Sequence, residues 1–191
     1  MSKRDEALVA ALELFNDRGV AVVSTNHIAE AAGISPGNLY YHFRNKEAIV
    51  AALAEQLFDR WDREFALPEE RTPTISDIES MVRTNFRIAW EFRFFHRDLV
   101  ALLRQDPYLA ERFRGVRDRG FAGFRELCGG FVRFGILRPM DRRAVDLLAR
   151  NCWLISEFWL QSLELDGETD FDMGMERGVE VLLQAMNPYL A

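Results

Sequence analysis

Apolar residues recur every three to four positions along almost the whole chain, a spacing that predicts a succession of helices. Leu8, Ala11, Leu12 and Phe15 fall on one face behind a Ser2 cap, and Gly19 after Arg18 supplies a stop. A short second segment carries Ile28, Ala29 and Ala32 from a cap at Ser24 or Thr25 to Gly33. A third begins at a Ser35 cap with Pro36 at its first position, where a missing N–H is harmless. A fourth starts near Asn45 and repeats Ile49, Leu53, Leu57 and Trp61. "VAVVS" at 20–24 is the only β-branched run, too short to pair with anything else visible, so the expected fold class is all-α.

The periodicity breaks at "ALPEERTPT", residues 66–74, where two prolines and a cluster of polar residues prevent continuation. "SDIE" at 76–79 reads as a capping box opening a long helix through Ile78, Val82, Phe86, Ala89 and Trp90. Asp106-Pro107 starts another, with Phe113, Val116, Phe124, Leu127, Phe131 and Phe134 along it. "FGILRPMD" at 134–141 is a turn leading to a helix capped by Asp141. In that helix, "AVDLLARNCWLISEFWLQSLEL", apolar residues occupy nearly the whole circumference, which one buried face cannot explain. The acidic loop "DGETDFD" at 166–172 separates it from "MERGVEVLLQAM", whose Met175, Val179, Leu182, Leu183 and Met186 form one stripe. A helix whose two faces are both apolar is accounted for if one covers its own core and the other meets the same helix of a second subunit. The last stripe would complete a four-helix homodimer interface.

Composition adds limits. Hydrophobic content of 49% and charged content of 28% are ordinary for a soluble globular protein. No run approaches the roughly 18 to 20 apolar residues of a membrane span. The N-terminus lacks the pattern of a signal peptide, so the expected setting is the cytoplasm, with no membrane partner. Cys128 and Cys152 stand apart from any Cys/His cluster, and neither a metal site nor a cofactor is implied. The net charge of −6 argues against a nucleic-acid partner at first sight, because phosphate neutralisation dominates such binding. Locally the objection weakens: residues 1–50 hold five Lys and Arg against six Asp and Glu. If that part binds DNA, a few well-placed groups must do so, in an oriented pair of modules.

"HIAEAAGISPGNLYYHF", residues 27–43, then becomes informative. A helix, a tight turn at Gly33 and a second helix form the helix-turn-helix unit, whose second helix enters the major groove. Ala29 and Ala32 are small, as two closely crossing backbones require. On the second helix Leu39 and Phe43 face inward, which turns Asn38, Tyr40, Tyr41 and His42 outward. Exposed aromatics with hydrogen-bonding tips imply a partner. With the preceding "ALELFNDRGV" and the following "NKEAI", the stretch resembles the DNA-binding domain of the TetR/AcrR family of transcriptional regulators, over roughly residues 5–55.

The resemblance implies a helix-turn-helix DNA-binding domain over 1–50 and a helical effector-binding and dimerisation domain over 51–191. It implies a regulator, most simply a repressor, that binds a palindromic double-stranded DNA operator as a homodimer and is released by a small-molecule effector. By position, Ser24 or Thr25 would bond a backbone phosphate and Asn26 would reach a base edge. Ser35, Pro36, Gly37 and Asn38 would lie against the bases, with Asn38 suited to adenine. Tyr40, Tyr41, His42 and Lys46 would clasp phosphates. The recognition helix carries no Arg or Lys, a departure from a guanine-reading surface.

The second domain is unusually aromatic, which favours an apolar effector oriented by a few embedded polar groups. The candidates are Asn85, Trp90, Arg93, His96, Phe124, Asn151, Cys152 and Phe158. Two other classes compete, an all-helical enzyme and a protein-interaction adaptor without DNA binding. Against an enzyme, the chain has no HExxH, no glycine-rich phosphate loop and no Ser/His/Asp set that spacing can unite. Glu157 and His96 are a candidate buried acid-base pair.

Overall fold

Three serines start three helices. In the computed structural model, which describes residues 1–64, 72–168 and 170–191, helix α1 (Lys3–Arg18) begins where the Ser2 hydroxyl accepts from the Asp5 N–H. The Asp5 carboxylate accepts in return from the Ser2 N–H and hydroxyl, and those bonds hold it below the usual carboxylate range. Helix α2 (Thr25–Ala31) has the same reciprocal cap with a histidine in the acid's place. The Ser24 hydroxyl accepts from the His27 N–H at 3.2 Å, and His27 Nδ1 accepts from the Ser24 N–H at 3.3 Å. Helix α3 (Pro36–His42) is capped by Ser35 over the Asn38 N–H. Helix α4 (Lys46–Glu64) follows, with Asn45 Oδ1 accepting from the Ala48 N–H at 2.9 Å.

The remaining helices are α5 (Ile75–Glu91), α6 (Arg93–Gln105), α7 (Pro107–Arg133), α8 (Arg142–Leu165) and α9 (Phe171–Met186). A short 3₁₀ turn closes the chain at Asn187–Tyr189. The protein is thus all-α, an N-terminal helix-turn-helix followed by a helical C-terminal domain. No helix among the described residues is long and apolar enough to cross a membrane. Most of the break expected at 66–74 lies outside the described residues.

Three expectations need correction. The α5 cap is Thr74 rather than Ser76, because the Asp77 carboxylate takes the Thr74 N–H and hydroxyl at 2.6 and 2.8 Å. Residues 93–105, which the pattern left undivided, form their own helix after an interruption at Phe92. Phe134 lies beyond the end of α7 and is exposed.

The chain divides into two units. The first comprises Met1–Arg60 and Glu91–Glu111. Its buried side chains include Leu8, Ala11 and Phe15 of α1, Ile28 and Ala29 of α2, Leu39 of α3, Ile49, Leu53 and Phe58 of α4, and Phe94 and Phe95 of α6. The Phe15 and Phe94 rings meet at 5.5 Å and those of Phe58 and Phe95 at 5.8 Å, so α6 packs on α1 and α4. Buried Asn16 reinforces this junction. Its Nδ2 donates to the Glu91 carbonyl at 2.7 Å, and its Oδ1 accepts from the Phe94 N–H at 3.0 Å.

The second unit comprises Trp61–Trp90 and Arg112–Ala191. Ile78 and Phe86 of α5, Leu127 and Phe131 of α7, Leu148 and Cys152 of α8, and Met175, Val179, Leu182 and Met186 of α9 form one core. The stripe expected on α9 faces inward. Helices α8 and α9 approach closely enough that the indole N–H of Trp159 reaches the Gly174 carbonyl at 2.8 Å. A Cβ on Gly178 would lie 2.6 Å from Trp159 Cδ1 and 2.7 Å from Phe86 Cε2, so only glycine fits there. Arg117 of α7 holds Glu157 of α8 through two bonds of 2.5 and 2.7 Å. Leu147, Leu154, Phe158 and Leu165 of α8 remain exposed at intervals of seven, four and seven, one unpartnered apolar stripe opposite the core face.

Candidate nucleic-acid interface

The turn between α2 and α3 is shaped by backbone bonds. The Ala32 N–H reaches the Ile28 carbonyl at 2.9 Å and the Ile34 N–H reaches that of Ala29 at 3.0 Å, a closure requiring the left-handed φ of 62° that Gly33 adopts. Leu39 and Phe43, four apart, are buried and fix the rotation of α3 about its axis. That rotation brings Ser35, Pro36, Gly37, Asn38, Tyr40 and Tyr41 to the surface together, beside exposed Ser24 and Asn26. Thr25 and His42 are half-buried at its margin.

Two contacts order this surface. The Thr25 and Tyr40 hydroxyls lie 3.0 Å apart, tying the first turn of α2 to α3. The Tyr41 ring meets His42 edge-on at 5.1 Å, and Tyr41 is 84% exposed. Leaving so much aromatic surface in water forgoes the free energy of its burial. The arrangement offers amide, hydroxyl and phenol groups on the exposed face of α3, the chemistry that meets base edges and phosphate oxygens. Arg44, exposed just past Phe43, adds a cation beside α3 that no capping or periodic signal marks.

Lys46 is placed differently from the other phosphate candidates. Its Nζ turns toward the α1–α2 connection and donates to the carbonyls of Val20 at 2.7 Å, Val23 at 3.0 Å and Ala21 at 3.5 Å.

The effector candidates are divided between the two units. Arg93 and His96 belong to the first unit and the other six to the second. His96 is buried, and burial lowers its pKa to about 4. In the second unit Asn85 donates to the Ser156 hydroxyl at 2.9 Å, and Trp90 stacks on Phe171 at 4.5 Å between ring centres. Phe124 and Cys152 belong to the core, whereas Asn151 and Phe158 are exposed on α8, Phe158 within its apolar stripe. Burial pushes the Cys128 and Cys152 thiols up to about 12, which leaves them protonated and unreactive. Glu157 is engaged with Arg117 as an ion-pair partner.

Comparison with known proteins agrees along the chain. A family model for bacterial regulatory proteins of the tetR family matches residues 7–53, and one for a bacterial transcriptional repressor matches residues 58–191. The HTH-type transcriptional regulator RutR of Escherichia coli (strain K12) is 28% identical over 144 residues, covering 73% of this chain and 66% of RutR. The chain therefore spans just under two thirds of that relative. The HTH-type transcriptional repressor KstR2 of Mycolicibacterium smegmatis is 41% identical over 58 residues, 30% of this chain and 28% of KstR2. Among solved structures, a TetR-family transcriptional regulator from Marinobacter aquaeolei VT8 superposes with a TM-score of 0.92 at 34% identity, over 100% of this chain and 92% of its own. A SmeT–triclosan complex shares the fold at a TM-score of 0.70 and 19% identity, over 100% and 93% of the two chains.

Proposed function

The chain belongs to the TetR family of bacterial transcriptional regulators, which are DNA-binding regulators and not enzymes, and we propose that it represses transcription as a homodimer on a palindromic operator. The observation that carries this reading is the exposed polar and aromatic face of α3, set by the burial of Leu39 and Phe43. In this reading Asn38 reads a base edge on each half-site, supported by Asn26, and Ser35, Pro36 and Gly37 allow close approach. The hydroxyls of Ser24, Thr25, Tyr40 and Tyr41, with His42, hold the flanking phosphates. The DNA-binding domain is residues 1–50 and the remainder, 51–191, binds effector and dimerises.

The exposed stripe of α8 supports the homodimer, since a chain that kept Leu147, Leu154, Phe158 and Leu165 in water would lose the free energy of their burial. A dimer also resolves the charge problem. Two nearly neutral modules about one DNA turn apart, roughly 34 to 36 Å, gain avidity that neither has alone. The effector is a small, largely apolar molecule bound within the aromatic second unit, a reading supported by the aromatic side chains there and by a neighbour in fold, SmeT, being seen in complex with triclosan. Binding would release DNA by taking the two recognition helices off operator spacing, for which a hundredfold preference for that state supplies roughly 2.7 kcal/mol. The cytoplasm, where the DNA is, is the setting this function requires.

The test is a gel shift on DNA flanking the protein's own coding region, and on duplexes selected by the protein from a random library. Recovery of a twofold-symmetric sequence is the expected result. Failure to enrich any sequence would leave a helical adaptor as the better account.

A further inference from the structure

The connection between α1 and α2 is gripped from two sides. On one side the three N–H groups of the Lys46 ammonium meet three carbonyls, those of Val20, Ala21 and Val23. An ammonium has three donors and no acceptor, so these oxygens account for its hydrogen-bonding capacity. On the other side the Val20 N–H donates to Asp98 Oδ2 of α6 at 3.2 Å. The two faces of one peptide segment are therefore held by opposite charges on different helices. Val23, the last carbonyl on Lys46, directly precedes Ser24, the cap of α2. Thr25, the next residue, shares its hydroxyl contact with Tyr40 on the exposed face of α3.

From this we infer that Lys46 is a positioning residue for DNA binding: with Asp98, it sets where α2 begins, and through Thr25 where the Tyr40 hydroxyl points, rather than neutralising a phosphate itself. The inference rests on the reading of the protein as a DNA-binding regulator. The physical reason favours it over a direct phosphate contact, because an ammonium that left for a phosphate would strand three carbonyls at the turn. Charge-assisted bonds of this kind are the strong members of their class, and several converging on one turn remove its freedom. The side chains of Val20 and Val23 are buried beneath the same turn, so the Lys46 and Asp98 bonds act on backbone that is already anchored at both ends.

The experiment uses the full-length protein and a duplex that it has selected from a random library, with dissociation constants measured across a range of salt concentrations. If the wild-type protein selects nothing, the functional reading fails and this inference with it; given a selected duplex, only the positioning role is at stake. Lys46→Met should lose about tenfold or more in affinity at every salt concentration, with the slope of log affinity on log salt unchanged. Lys46→Arg should not restore binding, since a planar guanidinium is a good phosphate ligand but a poor match for three converging carbonyls. Asp98→Ala gives the sign. Removing a negative charge from a DNA-binding protein should tighten binding by electrostatics alone, whereas loss of the grip on Val20 should weaken it. Amide exchange of Val20 should quicken in the same variant. Asp98→Asn, which keeps an acceptor for that N–H, should bind as the wild type does, and it tests the proposal even if Lys46→Met does not fold. A fall in the salt slope of about one counterion per half-site in Lys46→Met, recovery in Lys46→Arg, or unchanged or tighter binding by Asp98→Ala would each overturn it.

Discussion

The side-chain amide of Asn16 bridges a broken helix by bonding to Glu91. Where α5 gives way to α6, the Phe95 N–H turns to the Phe92 carbonyl at 2.9 Å, which frees the Glu91 carbonyl for Asn16 Nδ2 at 2.7 Å. The Phe94 N–H, which has lost its helical acceptor, is taken by Asn16 Oδ1 at 3.0 Å. One amide, 7% exposed, thus supplies the donor and the acceptor that the interruption leaves over. Asn16→Ala should lower stability by about 2 kcal/mol, since a buried carbonyl and a buried N–H both lose their partners. Asn16→Asp should do no better, because it keeps the acceptor, removes the donor and buries a charge. Urea unfolding measures both, and a loss near zero would show that water replaces the amide.

Burial lowers the pKa of His96 to about 4, against about 6.5 when the chain unfolds. The unfolded state therefore binds the extra proton first as pH falls. The stability linked to His96 is present in full above pH 6.5 and drains away between about 6.5 and 4, by up to a few kcal/mol. Unfolding free energies at pH 7 and pH 5 should differ in the wild type and differ less in His96→Gln. An equal difference in both would place the pH dependence elsewhere.

Gly178 and Gly123 should respond to alanine in opposite directions. An added Cβ at Gly178 meets Trp159 and Phe86, two core rings that cannot both yield, whereas at Gly123 nothing lies within 4 Å. Gly178→Ala should destabilise by about 1 to 3 kcal/mol through overpacking. Gly123→Ala should gain about 0.5 to 1 kcal/mol, because glycine inside α7 loses more backbone freedom on folding than alanine does. Thermal midpoints distinguish the two, and a gain at Gly178 would contradict the packing described.

Leu154 and Phe158 sit one helical turn apart on the exposed stripe of α8. Placing a carboxylate at either site, Leu154→Glu or Phe158→Glu, should leave the subunit core untouched and convert a sedimenting dimer into a monomer at micromolar concentration. A wild-type mass of one chain would refute the dimer, and a variant mass of two would move the interface elsewhere.

On α3, Asn38→Ala should change preference at one position of each half-site, while Tyr41→Phe should weaken binding to every sequence by a similar factor. Tyr41 is largely in solvent, so its loss of a hydroxyl should not alter the melting temperature. Uniform loss on all sequences for Asn38→Ala would remove it from the base-reading set.

The parts of the fold legible in advance were those encoded by neighbours. Ser2, Ser24 and Ser35 cap residues three positions on, and a short-range bond of that kind is written in four letters. Two such phrases overlap at residues 74–79, and the choice of Thr74 over Ser76 depends on where the preceding chain arrives, which spacing does not record. The break at Phe92 has no glycine or proline to announce it. It exists because Asn16, 75 residues from its acceptor, stabilises the ends it creates. The face of α3 followed from Leu39 and Phe43, but the destination of Lys46 did not, since backbone carbonyls look alike in any sequence. Aromatic richness alone could not separate residues of the second-unit core, such as Phe124, from those on the α8 surface, such as Phe158, because both kinds of position take the same side chains.

Gly37 stands second in the recognition helix, with no neighbouring atom within 4 Å of where a side chain would begin. Its backbone is not in the left-handed region that reserves a site for glycine. On the proposed reading of α3, the fold thus leaves a blank character at the tip of its reading head. If α3 reads bases as proposed, such a blank lowers the information the helix can extract from a groove, and a sequence read mostly through Asn38 should tolerate many spellings. It also makes the protein easy to rewrite: arginine at this position would gain a guanine-reading fork without displacing a core residue, so operator preference could diverge in a single codon change while the rest of the regulator stayed as it is.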